Sequence, residues 1–115
     1  MPGKYELKKT ASGQYMFNLK AANHQVILTS EQYRAKDSAF VGIAAVRKNS
    51  PLDERYHRKV ASDGQHYFVL WAANNKVIGK SELYKTKAAM ENGVASVKKN
   101  GPTAPIDNQI PPPRS

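Results

Sequence analysis

The sequence predicts an α+β protein made by tandem duplication of one module, a three-stranded antiparallel meander followed by helix. Three observations carry this. Sliding Tyr56 to Pro102 back by about 51 residues lays it without a gap on Tyr5 to Pro51, and roughly 21 of about 47 aligned positions are identical. The first part of each copy alternates apolar and polar residues between turn-forming residues, as half-buried strands do. The last part of each copy repeats its apolar residues at the 3.6-residue period of a helix. The boundaries follow: residues 1–51 form the first repeat, 52–55 a short charged link, 56–102 the second repeat, and 103–115 a proline-rich tail. Neither copy alone, at about 47 residues, buries enough apolar surface to be stable, so the halves are expected to complete each other.

Taken in order, Tyr5, Leu7 and Lys9 alternate with Glu6 and Lys8, and Tyr56, Arg58 and Val60 with His57 and Lys59, which opens each copy with a strand. Gly13 and Gly64 follow where a tight turn requires positive φ. In the second strands Phe17 and Leu19 share a face and match Phe68 and Leu70 in phase, which makes that face the core. Asn23-His24-Gln25 and Asn74-Asn75-Lys76 tolerate left-handed backbone and lead into third strands at Val26-Ile27-Leu28 and Val77-Ile78-Gly79. Ser30 and Ser81, each followed by a glutamate, are expected to cap a short helical turn, with Tyr33 and Tyr84 stapled onto the core.

The longer helices place Ala39, Gly42, Ile43 and Val46 on one face and Met90, Gly93, Val94 and Val97 on its counterpart. Thr86 is a fitting N-cap; Ala35 stands in its place in the first copy, and Asp37 is expected to take over the role. Paired cations and an Asn-Ser-Pro or Asn-Gly-Pro sequence end each helix. Gly42 and Gly93 sit mid-helix, where glycine costs about 1 kcal/mol relative to alanine. Close packing at both positions offsets that cost more simply than approach of a ligand. The tail, TAPIDNQIPPPRS, has no apolar period and is expected to be disordered or extended, with Pro111 to Arg114 readable as a polyproline ligand.

The pattern GQYMFNLKAANHQVILTSEQY with a helix ending VRKNSP, and its second form GQHYFVLWAANNKVIGKSELY with NGVASVKKNGP, resembles the YegP-like family of small bacterial proteins. The resemblance covers Tyr5 to Pro102 and implies two β3-α2 subdomains interlocked about a pseudo-dyad. It brings no established activity and no catalytic residues.

The net charge of +9 favours polyanions as non-specific partners. It is spread along both copies rather than gathered in an arm. With no cysteine, disulfides, thiol nucleophiles and thiolate metal sites are excluded, in keeping with a reducing, cytoplasmic setting. No apolar run is long enough to span a bilayer. His24, His57 and His66 lack partners at metal-ligand spacing, and no nucleophile motif, phosphate loop or cofactor fingerprint is present. The copies differ on one sheet face: opposite Phe17 the first carries Met16, Asn18 and Lys20, and the second Tyr67, Val69 and Trp71. Such a trio is either covered by helices or binds something.

Three function classes follow. The leading one is a non-enzymatic structural or interaction module that pairs further, as a homodimer or with another protein, through a sheet edge or the Trp71 face. The second is a nucleic-acid binder using Tyr67, Val69 and Trp71 with Lys59, Lys76 and Lys80. The third is a small-ligand binder or enzyme with its site at the pseudo-dyad, where Gln14/Gln65 and Ser30/Ser81 would converge. A flat aromatic and basic surface favours the second over the third.

Overall fold

The computed structural model describes residues 3–110. Its elements in chain order are β1 (Lys4–Lys9), β2 (Tyr15–Lys20), β3 (Val26–Ser30), α1 (Lys36–Asn49), a 3-10 turn at Asp53–Arg55, β4 (Tyr56–Val60), β5 (His66–Trp71), β6 (Val77–Lys80), α2 (Lys87–Asn100) and β7 (Ile106–Asn108). Seven strands form one sheet in the order β4-β5-β6-β3-β2-β1-β7. The two meanders meet at its centre, where β3 and β6 pair antiparallel through Thr29↔Lys80 and Ser30↔Gly79. The copies are thus halves of one layer.

Local chemistry sets the turns. Gly13 and Gly64 take φ of 86° and 84°, and His24 and Asn75 take 68° and 65° in the second turns, where Asn23 and Asn74 each accept a backbone N–H through the side chain. Both helices lie on the Phe17/Phe68 side, and their packing interlocks the copies. α1 covers β2 of its own copy together with β5 and β6 of the other, while α2 covers β5 and crosses to β3. Tyr5, Phe17, Leu19, Leu28, Ile43, Val46, Phe68, Leu70, Met90 and Val97 fill a single core. The pseudo-dyad holds at the level of single bonds. The Tyr5 hydroxyl donates to the Gly101 carbonyl and the Tyr56 hydroxyl to that of Ser50, and each ring lies 5.6 Å from a cation, Arg47 or Lys98. The mid-helix glycines are explained by packing, because a Cβ on Gly42 or Gly93 would collide with the ring of Tyr33 or Tyr84.

Three expectations are corrected. No helical turn forms after Ser30 or Ser81. Each serine ends the sheet region instead, its hydroxyl accepting from the amide of Phe17 or Phe68 and donating to the next glutamate's carbonyl. The chain then stays extended through the bridges Tyr15↔Tyr33 and His66↔Tyr84, so each copy has one helix. Asp37 does not cap α1, whose N-cap is Ala35 with no side-chain bond; Asp37 falls in the first turn. Thr86 caps α2, accepting from the Ala89 amide at 3.0 Å.

The third concerns the tail, expected to be disordered or extended from Thr103 onward and not to join the sheet. Ile106–Asn108 instead pair parallel with β1, with bonds from the Tyr5 amide to the Pro105 carbonyl and from the Gln109 amide to the Leu7 carbonyl. The duplication supplies the reason. The chain leaving α1 becomes β4, beside β5; the chain leaving α2 is directed by the same symmetry to the place beside β2, which β1 already holds. It therefore adds outside β1, where Ala104 is buried and Ile106 and Ile110 pack against the core. Pro111 to Arg114 lie outside the described residues.

Candidate functional site

With the helices on one side, the other face of the sheet is open. One row of side chains crosses all seven strands there: His57, Val69, Lys80, Thr29, Asn18, Glu6 and Asp107, each opposite the next. The row shows how differently the two halves are furnished.

In the first half, Glu6 is 5% exposed and takes ion pairs from Lys20 at 3.0 Å and from Lys4 and Lys8 at 3.6 Å. Burial opposes ionisation of its carboxyl, but the three ammonium groups outweigh it and hold the group below its usual range. Asp107 adds a bond to Lys4 at 3.2 Å, and Gln109 bridges both acids. Thr29 donates to Asn18 at 2.9 Å. Each of these charged side chains has an ion-pair partner within this half.

In the second half the images of those residues are of another kind. His57 replaces Glu6, Tyr67 replaces Met16, Val69 replaces Asn18 and Trp71 replaces Lys20. Val69 is 9% exposed, Tyr67 and Trp71 are half-buried, and the His57 and Trp71 rings lie 4.3 Å apart and tilted by 31°. Lys59 stands opposite Tyr67, and Lys80 stands between Val69 and Thr29. Among the described residues neither lysine is ion-paired. Tyr67, Val69, Trp71, Lys59 and Lys80, with Thr29, Ser30, Glu31, Val77 and Gly79, line a shallow cleft of about 320 Å³. The Trp71 indole N–H is buried there without a hydrogen-bond partner. The trio is not covered by helices.

Five of the six residues singled out from the sequence are brought together, and Lys76 is not. The β5–β6 register shifts at Leu70/Trp71, so Trp71 faces Val77, and Lys76 stays in the turn, lining a groove on the helix side with Tyr33, Gly42 and Ala72. His57, Thr29 and Glu31 join the site without having been singled out; His57 and Thr29 are found from the alternation once strand pairing is known, since it sets them on the face of Val69. Gln14/Gln65 and Ser30/Ser81 do not form a common polar pocket. The serines are consumed by backbone bonds, and Gln65 bonds Asp63 in its hairpin turn. Among the described residues no three His, Asp or Glu side chains gather as a metal site, and no helix is long and apolar enough to cross a membrane.

Comparison with known proteins places this architecture. A family model described as a domain of unknown function, DUF1508, matches residues 11–56 and again 61–108, so its second match runs through β7. The chain is 55% identical over 105 residues to a UPF0339 protein of Bordetella pertussis, covering 91% of this chain and 95% of that protein. It is 54% identical over 101 residues to UPF0339 protein YegP of Escherichia coli K12, covering 88% and 92%. The solution NMR structure of the E. coli protein of unknown function yegP superposes with a TM-score of 0.91 at 49% identity, covering 96% of this chain and 95% of that one. That of a UPF0339 protein from Shewanella oneidensis gives 0.90 at 46% identity, covering 96% and 93%.

Proposed function

The chain belongs to the DUF1508 family, whose compared members carry no assigned activity, and from the divided sheet face we infer that it is a non-catalytic binding module that holds single-stranded nucleic acid. The observation that carries this is the contrast between an ion-paired half-face around Glu6 and an aromatic one whose two lysines have no ion pair among the described residues. Tyr67 and Trp71 are four residues apart on one strand, so they offer stacking positions about 13 Å apart with Val69 between them. Lys59 and Lys80 flank that line and supply phosphate contacts. The surface is shallow and side-chain-lined, which suits splayed bases better than a buried small molecule. Of the recurring polar pairs that would have marked a central reaction site, Ser30 and Ser81 serve the backbone and Gln65 is bonded to Asp63 in its turn.

The test is a titration of labelled single-stranded and duplex oligonucleotides at low and near-physiological salt. A stacked base contributes ~1–3 kcal/mol, so Trp71→Ala is expected to weaken single-strand binding roughly 5- to 150-fold. Each phosphate contact on a single strand contributes about 0.7 to the salt slope, so Lys59→Ala with Lys80→Ala lowers that slope by about 1.4. Lys76→Ala, on the other side of the sheet, leaves affinity within about twofold. Binding that disappears at physiological salt and ignores Trp71 refutes the reading and leaves the charge as a generic property.

A further inference from the structure

The duplication predicts two equivalent sheet edges, and the structure has only one of them closed. β1 carries β7 on its outer side, while β4, its image, ends the sheet. Among the backbone groups that receive β7 are the Tyr5 amide and the Leu7 carbonyl. Their images are the Tyr56 amide and the Arg58 carbonyl. The first is taken by the Asp53 carbonyl of the 3-10 turn, which does for β4 what Pro105 does for β1. Beyond that turn, the alternation of the β4–β5 ladder points the amides and carbonyls of Arg58 and Val60 outward, with no strand beside them.

We propose that the outer edge of β4 receives an extended segment of another protein as an eighth, parallel strand, one that alternates apolar and acidic residues as Ile106-Asp107-Asn108 does. The chain itself supplies the template. At the closed edge Ile106 turns toward the core beside Tyr5, and Asp107 turns to the open face opposite Glu6, 3.2 Å from Lys4. At the vacant edge the residue opposite is His57 instead of an acid, and the neighbouring Lys59 has no carboxylate partner among the described residues. Asp107 is held at the closed edge by Lys4, and Lys59 offers an acid arriving at the vacant edge a cation of the same kind. The same charges argue against a second copy. Antiparallel β4–β4 pairing brings the Lys59 side chains of the two copies together, the arrangement by which edge strands discourage self-association. Pairing of β4 with another copy's β7 offers only three residues, whose acid is already held by Lys4 and Gln109.

The edge shares Lys59 with the aromatic face, but strand addition rests on the backbone groups of Arg58 and Val60, so this proposal does not depend on nucleic-acid binding. The probe is a synthetic peptide of the chain's own residues 103–110, TAPIDNQI, added to the isotope-labelled full-length protein and followed by amide NMR. Saturable shifts and slowed exchange at the Arg58 and Val60 amides are expected. Replacing the peptide's aspartate with lysine should weaken binding at least tenfold, and Lys59→Glu, a change at an exposed position, should reverse that preference. No shifts at millimolar peptide overturn the proposal. So do shifts at the Tyr5 and Leu7 amides, which mean that the peptide merely displaces β7. Concentration-dependent broadening of β4 signals without peptide overturns it in favour of copy-to-copy pairing.

Discussion

Gly42→Ala tests how the duplicated helices are seated, and its magnitude can be worked from contacts. On the helix alone, alanine gains about 1 kcal/mol over glycine. In place, its Cβ would overlap the Tyr33 hydroxyl and stand 2.8 Å from Tyr33 Cζ and 3.0 Å from Phe17 Cε2. Tyr33 has little room to withdraw, since its ring stacks on Phe17 at 6.4 Å and 6°, and Phe17 is fully buried. Overpacking of this kind costs ~1–3 kcal/mol. With a pinned ring on one side and a core ring on the other, the upper half of that range applies. The net effect is a loss of about 1–2 kcal/mol, several degrees in Tm for a domain of this size. Gly93→Ala differs in kind, because its three nearest atoms all belong to Tyr84, and that half-buried ring has no aromatic stack behind it among the described residues. Tyr84 can swing aside, so the overlap roughly cancels the helix gain and stability changes by less than about 0.5 kcal/mol. Urea denaturation of both variants, with Gly42→Ala repeated in a Tyr33→Ala background where it should become near neutral, checks the argument. It is refuted if Gly42→Ala is as stable as the parent, or if Gly93→Ala loses as much.

Two further outcomes are expected. Ala35 has φ −123° and ψ 146°, nearly the backbone of Thr86 at −129° and 156°, so Ala35→Thr should supply the missing cap. It should raise stability by about 1 kcal/mol while Thr86→Ala lowers it by a similar amount, read from urea midpoints. Glu6, held low by its lysines, and Asp53, lowered to about 2 first by its hydrogen bond to Arg58 and then by Lys98, both have folded-state pKa values below their unfolded ones. Their contribution is therefore full above about pH 5 and fades as pH falls through the folded values. Glu6→Gln should be destabilised at pH 7, where three lysines lose their shared carboxylate, and the gap to the parent should narrow toward pH 3 in urea midpoints measured across that range.

What could be read from the chain was local. Turn glycines, the left-handed His24 and Asn75, the helix faces and the Phe17/Leu19 phase depend on residues a few positions apart, and the second copy repeats most of these signals. Long-range choices were hidden. That β3 and β6 join the halves depends on the pairing of Ser30 with Gly79, where a Cβ would run into the Thr29 carbonyl. The tail's strand has no period of its own, and Ile106–Asn108 becomes a strand because β1 offers a free edge. Ser30 and Ser81 read as caps because a hydroxyl before an acid fits that role, yet the amides of Phe17 and Phe68 claim those hydroxyls across the sheet. Lys76 failed as a site residue for a similar reason, since the shift at Leu70/Trp71 breaks the alternation that would have carried it to the open face.

The two copies form an internal control on the candidate face. Both meet the same demands from turns, helix packing and the central β3–β6 join, and many core images agree, Tyr5 with Tyr56, Phe17 with Phe68, Leu19 with Leu70, Val46 with Val97, while Leu7, which β7 flanks, is answered by Arg58 at the open edge and Leu28 by Gly79 at the join. A residue needed only by that shared framework would serve at both images. The open face breaks the agreement at five positions, Glu6/His57, Met16/Tyr67, Asn18/Val69, Lys20/Trp71 and Thr29/Lys80, and the break is coordinated. Glu6 and Lys20 depart together, so the second half loses a buried carboxylate and one of the cations that needed it, while Lys59, image of Lys8, stays without the pairing Lys8 has. Removing the acid and keeping the cation costs electrostatic balance within the fold. Setting Tyr67 and Trp71 beside that cation on an uncovered face exposes aromatic surface as well. Neither change helps the framework, which the first half completes without them, so the force that sets them is sought outside the chain, in a ligand with flat apolar faces and negative charge.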